Sequence, residues 1–173
     1  PFQTLAAVAP DLSDRILIVD GVSNVYAMTG WRVGWGCGPT PLITAISSIQ
    51  SQNCTQTSTL SQLAAVAALT GSQALVKERN TIYRQRRDAA LHVLGACEAI
   101  DVACPEGAFY LLPRIKTIKD DQAFALTILE AGVATVPGSA FGMPGHLRLS
   151  FATDESILIA GCERLVQKIK ASA

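Results

Sequence analysis

The residues with the most chemistry in this 173-residue chain are two arginines and a loop of hydroxyls and glycines. Arg148 lies in the run LRLSF at residues 147–151, mid-strand between apolar neighbours. A half-buried guanidinium needs an anion. Two partners fit: an acid of the same protein, giving an internal salt bridge, or the carboxylate of a substrate. Ser23, Thr29, Gly30 and Arg32 share one loop. Hydroxyls and backbone N–H groups can donate to a phosphate, and arginine adds charge and a two-pronged fork. A solvated loop with a structural arginine has the same composition. His92 and His146 are the only histidines, and neither stands at a ligand spacing from a cysteine or from the other, so no metal site is expected.

These side chains need elements to position them. Residues 16–19 (ILIV) read as a buried strand ended by an Asp20-Gly21 turn, and residues 31–36 as a second strand. Residues 41–52 have helical spacing, with Thr40 as N-cap and Pro41 at the first helical position. A second, alanine-rich helix covers 58–69 and stops at Gly71. Ser72 caps a long helix to about Ala99, whose Arg84, Arg86 and Arg87 face solvent. Residues 101–103 and 108–115 read as strands around a Pro105–Gly107 turn. Asp120 or Asp121 opens a helix ended by Gly132. Residues 134–136 and 146–151 are strands flanking a Gly/Pro loop. The final helix, N-capped by Thr153, carries Leu158, Cys162, Leu165 and Ile169 on its apolar face. The fold class is α/β, laid out as two lobes joined by a long helix.

Composition narrows the function. Lys+Arg and Asp+Glu are 14 each, so no basic face for nucleic acid is expected. Charged residues make up 16%, against about 25% in ordinary soluble domains. Apolar residues reach 49% and the mean hydropathy is +0.31. Either a membrane or a partner surface would take up that excess. The membrane is disfavoured, because a spanning helix needs about 20 consecutive apolar residues and the longest candidate, 60–69, is interrupted by Ser61 and Gln62. The start lacks the features of a signal peptide and is not Met, so the chain is expected to begin inside a longer protein. Five cysteines without a CxxC spacing read as reduced thiols in a cytoplasmic protein.

The run DGVSNVYAMTGWRVG at residues 20–34 resembles the cofactor-lysine signature of class I aminotransferases, in the bacterial aspartate-aminotransferase-like branch of fold type I. The resemblance continues through residues 50–69, PEGAFY at 105–110, VPGSAFG at 136–142 and LRLSFA at 147–152. It implies a partial large domain of the pyridoxal 5′-phosphate (PLP) transferase fold over 1–72, a connecting helix over 73–99 and a C-terminal α+β small domain over 100–173. It implies that Ser23 and Arg32 hold the phosphate of PLP. Arg148 would grip the substrate α-carboxylate, with Phe141 and Gly142 in the loop approaching the substrate and Phe109 and Tyr110 on a nearby strand. The implied reaction is amino-group transfer between an amino acid and a 2-oxo acid, in a homodimer.

The chain departs from the family pattern in three places. The residue after the motif serine is a lysine that bonds the cofactor aldehyde, and here it is Asn24. An amide nitrogen is delocalised into its carbonyl, so it neither forms a Schiff base nor shuttles a proton near pH 7. The isolated chain is therefore expected to be inactive. A diverged loop, a substitution trapping the substrate–cofactor adduct and a sequencing difference are all compatible with Asn24. The resemblance also covers only the family's C-terminal part, without the phosphate-binding helix N-terminus, the ring-stacking aromatic or the acid on the pyridine nitrogen; Asp20 is not that acid. Strands 16–19 and 32–36 would lack neighbours, and a missing N-terminal fragment is an expected partner. Finally, NCTQT at 53–57 replaces a Thr-Ser-Asn-Pro-like turn that reaches the neighbouring subunit. The alternative function is a non-catalytic remnant that serves as a binding or oligomerisation module.

Overall fold

Every strand pairing is antiparallel among the described residues, 3–171, of this computed structural model. The chain divides into two units, Pro1–Lys77 and Glu78–Ala173. Mixed helices and small sheets in both make the architecture α/β, as the sequence pattern predicts.

The first unit begins with the short helix α1 (Leu5–Val8), capped by the Thr4 hydroxyl. Strand β1 (Ile18–Gly21) pairs with β2 (Gly34–Cys37) in a two-stranded ribbon, and the four-residue helix α2 (Val22–Val25) follows β1 directly. The strands therefore pair with each other. Asp20 and Gly21 extend β1 rather than turning it, and Thr29–Trp31 form a 3₁₀ turn rather than the start of β2. The register sets Gly21 opposite Gly34. A Cβ at Gly21 would lie 2.8 Å from the Val33 carbonyl oxygen, and one at Gly34 would lie 2.9 Å from that of Asp20. Neither space admits a side chain, so the glycines let the two backbones close the base of loop 22–33. Helix α3 (Thr40–Asn53) starts with Thr40 inside it: Pro39 holds the cap position and Pro41 is the second helical residue, which corrects the expected Thr40 cap. Helix α4 (Thr59–Thr70) ends at Gly71, and the Gln73 amide donates to the Ala68 and Gly71 carbonyls there.

Few side chains in this unit are covered. Among residues 3–77 only Ile16, Val22 and Ala65 are buried. Leu42, Ile46 and Ile49 on α3 and Leu60, Leu63, Val66 and Leu69 on α4 are exposed. The apolar excess of the composition thus concentrates on the faces of α3 and α4.

The second unit holds the core. Helix α5 (Ala74–Gly95) takes a hydrogen bond from Ala74 N–H to the Ser72 hydroxyl, as expected, but stops four residues before Ala99. Arg87 is half-buried, bonded to Asp88 and to the Pro105 carbonyl, and Arg86 lies 6.0 Å from the Tyr83 ring centroid; only Arg84 of the three is exposed. Strand β3 (Ile100–Asp101) pairs with β5 (Arg114–Ile115). The expected strand at 108–115 breaks into β4 (Tyr110–Leu111) and β5 around Pro113, which has no N–H to donate. Helix α6 (Asp121–Glu130) is followed by β6 (Val136–Pro137) and β7 (Leu147–Ser150). Strand β7 is central in the order β4-β7-β6. Helix α7 (Glu155–Ala171) buries Leu158, Cys162, Leu165 and Ile169 as its spacing predicts, but Asp154 rather than Thr153 binds its first turn, accepting from the Ser156 N–H and hydroxyl. These four side chains join Leu94, Leu111, Ile115, Ile128 and Leu147 in one core.

Among the described residues no single helix is long and apolar enough to cross a membrane.

Candidate functional site

Strand β7 alternates. Leu147 and Leu149 point into the core, and Arg148 between them is half-buried on the opposite face. Arg148 pairs across to Val136, and Tyr110, opposite Ser150, is its diagonal neighbour on β4. The Arg148 Cζ lies 4.5 Å from the Tyr110 ring centroid and 4.6 Å from that of Phe141. Each such contact contributes about 0.5–1 kcal/mol at a partly exposed site. No acidic side chain pairs with the guanidinium among the described residues, so the internal salt bridge is excluded there. Both rings lie against a cation that makes no ion pair among the described residues.

Phe141 ends the 3₁₀ turn Gly138–Phe141 and is 48% exposed, so packing alone does not hold its ring. Gly142 follows in the left-handed region at φ +72°, which glycine adopts without strain, and its N–H bonds the Ser139 carbonyl at 3.1 Å. Gly138 N–H donates to the His146 carbonyl at 2.7 Å, closing the loop.

One carboxylate supports this loop from below. Asp121, 4% exposed, accepts the Ser139 N–H at 2.9 Å and the Gly145 N–H at 3.0 Å on the same oxygen. Burial alone would raise its pKa. The Ser139 hydroxyl and the two backbone donors outweigh that and hold it below the usual aspartate value. Asp120 caps α6, its Oδ1 accepting from the Gln122 and Ala123 N–H groups, which leaves Asp121 free for the loop. The sequence marks only a pair of acids at a helix start. It carries no signal for this second role; for Tyr110 the resemblance implies a strand near the site but not the contact with Arg148.

The other predicted site residues lie in loop 22–33. Ser23 is half-buried and Asn24 exposed, both on α2, and neither side chain makes a hydrogen bond among the described residues. Arg32 sits at φ +54°, an unusual backbone state for a non-glycine residue, and its Nη1 donates to the Thr29 carbonyl at 3.0 Å. It has no acidic partner among the described residues. Ser23 and Arg32 each stand two residues from the Gly21–Gly34 pair, so the ribbon brings both to the base of the loop. Tyr26 OH donates to Gln73 Oε1 at 2.9 Å, tying the loop to the end of α4. Ser23, Asn24 and Arg32 form one group within the first unit; Arg148, Phe141 and Gly142 form another within the second. Among the described residues no three His, Cys, Asp or Glu side chains gather to hold a metal.

Comparison with known proteins points the same way. The sequence profile described as aminotransferase class I and II matches residues 1–165. An aspartate aminotransferase of Rhizobium meliloti is 44% identical over 95% of this chain, which covers 43% of that relative. A probable aspartate/prephenate aminotransferase of Rickettsia bellii is 42% identical, with 95% and 44% covered. The crystal structure of the Rhizobium meliloti aspartate aminotransferase superposes with a TM-score of 0.89 at 41% identity, over 98% of this chain and 45% of that one. The Thermus thermophilus aspartate aminotransferase with maleate gives 0.86 at 40% identity, over 92% and 42%. The chain thus spans less than half the length of the relatives it matches.

Proposed function

This chain belongs to the class I and II aminotransferase family, and from that premise we propose that it is the C-terminal part of a PLP-dependent aminotransferase. The reaction of the whole protein is amino-group transfer between an amino acid and a 2-oxo acid. Arg148 is the grip for the substrate α-carboxylate, with Phe141 and Gly142 in the loop beside it. The observation that carries this is the guanidinium lying against both the Tyr110 and the Phe141 rings with no acid of its own. A carboxylate can take two parallel N–H bonds from such a fork. The maleate named with the Thermus neighbour is itself a dicarboxylate, which supports a carboxylate ligand for the whole protein.

The residues fit the cofactor in part. Ser23 and Arg32, at the base of one loop and without acidic partners, suit its phosphate. Position 24 does not suit its aldehyde: Asn24 offers no amine, and the first lysine in the chain is Lys77. When bound, PLP supplies the electron sink for the chemistry. What this chain contributes is orientation of the substrate carboxylate and of the phosphate. Asn24 leaves it without the covalent anchor and the proton carrier, so it is inactive as written. Family membership supports the substrates, the cofactor and a homodimer, and the reading keeps a cytoplasmic location.

A second reading, favoured by Asn24, is a non-catalytic aminotransferase-like module for binding or oligomerisation. One experiment separates the two. The chain is completed with the preceding segment that its relatives carry, and transamination is assayed with Asn24 and with Asn24→Lys. Activity restored only by lysine supports a disabled enzyme. No activity in either supports the module. Turnover with Asn24 in place overturns the assignment of position 24.

A further inference from the structure

We propose that Asp121 is a positioning residue for the Arg148 site: its carboxylate pins both ends of the 139–145 loop and so holds Phe141 over the guanidinium. The inference rests on the reading of Arg148 as a carboxylate grip for its consequence, but not for its geometry.

Asp121 is the one buried charged residue among those described, and no cation pairs with it. Burying a carboxylate without a counterion is costly unless hydrogen bonds satisfy it. Here they come from the Ser139 and Gly145 N–H groups, 18 and 24 residues away in sequence. The helix does not need this residue for its own first turn, because Asp120 already binds the Gln122 and Ala123 N–H groups. What Asp121 holds is therefore the loop. Phe141 lies between the two pinned residues, half-exposed, with its ring 4.6 Å from the Arg148 Cζ. The other ring, Tyr110, is placed independently by the pairing of β4 with β7. One of the two rings on the guanidinium is thus set by the sheet, and the other by a carboxylate acting through a loop. Without the clamp, Phe141 would sample positions off the cation, and the competent orientation of Arg148 would be populated less often.

The test uses the full isotope-labelled chain, with the Arg148 side-chain resonances identified by their loss in Arg148→Lys. Asp121→Ala removes the acceptor of both loop N–H groups, and Ser139→Pro removes the Ser139 N–H and hydroxyl donors. Both variants are expected to keep a cooperative thermal transition while the Arg148 resonances lose part of their ring-current shift. Maleate, used as the probe, should bind roughly five- to tenfold more weakly to each. Phe141→Leu should show a similar loss, and Asp121→Ala added to it should cost less than about twofold more. Unchanged Arg148 resonances in the folded variants would overturn the proposal. So would a full additional loss on top of Phe141→Leu, because Asp121 would then act by another route. If Asp121→Ala does not fold, Ser139→Pro and its combination with Phe141→Leu decide in the same way. If the unaltered chain does not bind maleate, the carboxylate reading fails, and the resonance shifts alone decide the role of Asp121.

Discussion

The Cζ of Arg148 stands 4.6 Å from the centroid of the Phe141 ring, although one lies on a strand and the other on a half-exposed turn. A cation held by a ring rather than by an acid keeps its hydrogen-bond donors available. The proposed carboxylate grip of Arg148 rests on that availability.

Arg148→Lys should weaken maleate binding by about tenfold, because lysine lacks the planar fork and stacks poorly on rings. The same change should alter stability by no more than about 1 kcal/mol, since no internal ion pair is broken. A binding titration and a thermal melt on one sample give both values.

Asp121 should shape the acid limb of stability. Its folded pKa lies below the ordinary 3.8, so its contribution is complete above that value and is lost as pH falls through the folded pKa. Asp121→Asn should flatten this limb without abolishing it, because Asp154, held low first by the Ser156 hydroxyl and then by the Ser156 N–H, still titrates there. Urea midpoints from about pH 2 to 5 measure the difference.

The two units should respond differently to truncation. Leu165 is fully buried, and Leu165→Ala should cost about 2–5 kcal/mol. Leu63 is 62% exposed, and Leu63→Ala in the same chain should change stability by less than about 0.5 kcal/mol. Denaturant unfolding of the two variants tests this; similar losses would mean that the face of α4 is covered in solution.

Arg32→Gly separates backbone strain from charge. Glycine accepts φ +54° without strain, so stability should hold within about 1 kcal/mol. The guanidinium is lost, so the completed protein should bind PLP more weakly, while its affinity for phosphate-free pyridoxal stays the same. Comparing the two affinities is the readout.

Thiol labelling should divide the cysteines by burial. Cys37, Cys54 and Cys104 are exposed and should alkylate quickly under native conditions. Cys97 and Cys162 are buried and should resist. Burial, with a smaller push from Glu163, raises the Cys162 thiol to about 11, so its thiolate is scarce at neutral pH. Peptide mass spectrometry after brief alkylation gives the order.

The sequence makes legible what depends on local periodicity. The 3.6-residue spacing of Leu158, Cys162, Leu165 and Ile169 marks the buried face of α7, and the alternation around Arg148 marks it as facing away from the core. What depends on register or on one backbone angle is not visible there. Tyr110 reaches Arg148 only because β4 pairs with β7 so that Tyr110 opposes Ser150. Asp120 and Asp121 look interchangeable until the extended backbone at Asp120 makes it the cap and releases its neighbour to the loop. Asp20-Gly21 reads as a turn, yet the facing glycines let both strands run on. The aminotransferase resemblance supplied the family, since five short motifs in order constrain more than any of them alone.

The bare apolar faces of α3 and α4 have a consequence for the life of the chain in a cell. Leucines and isoleucines at this exposure are what chaperones and quality-control proteases recognise, and they also favour association between copies. Lifetime would then be set by supply. Whatever covers these faces stabilises the chain by mass action, and its concentration relative to its dissociation constant decides how much escapes degradation.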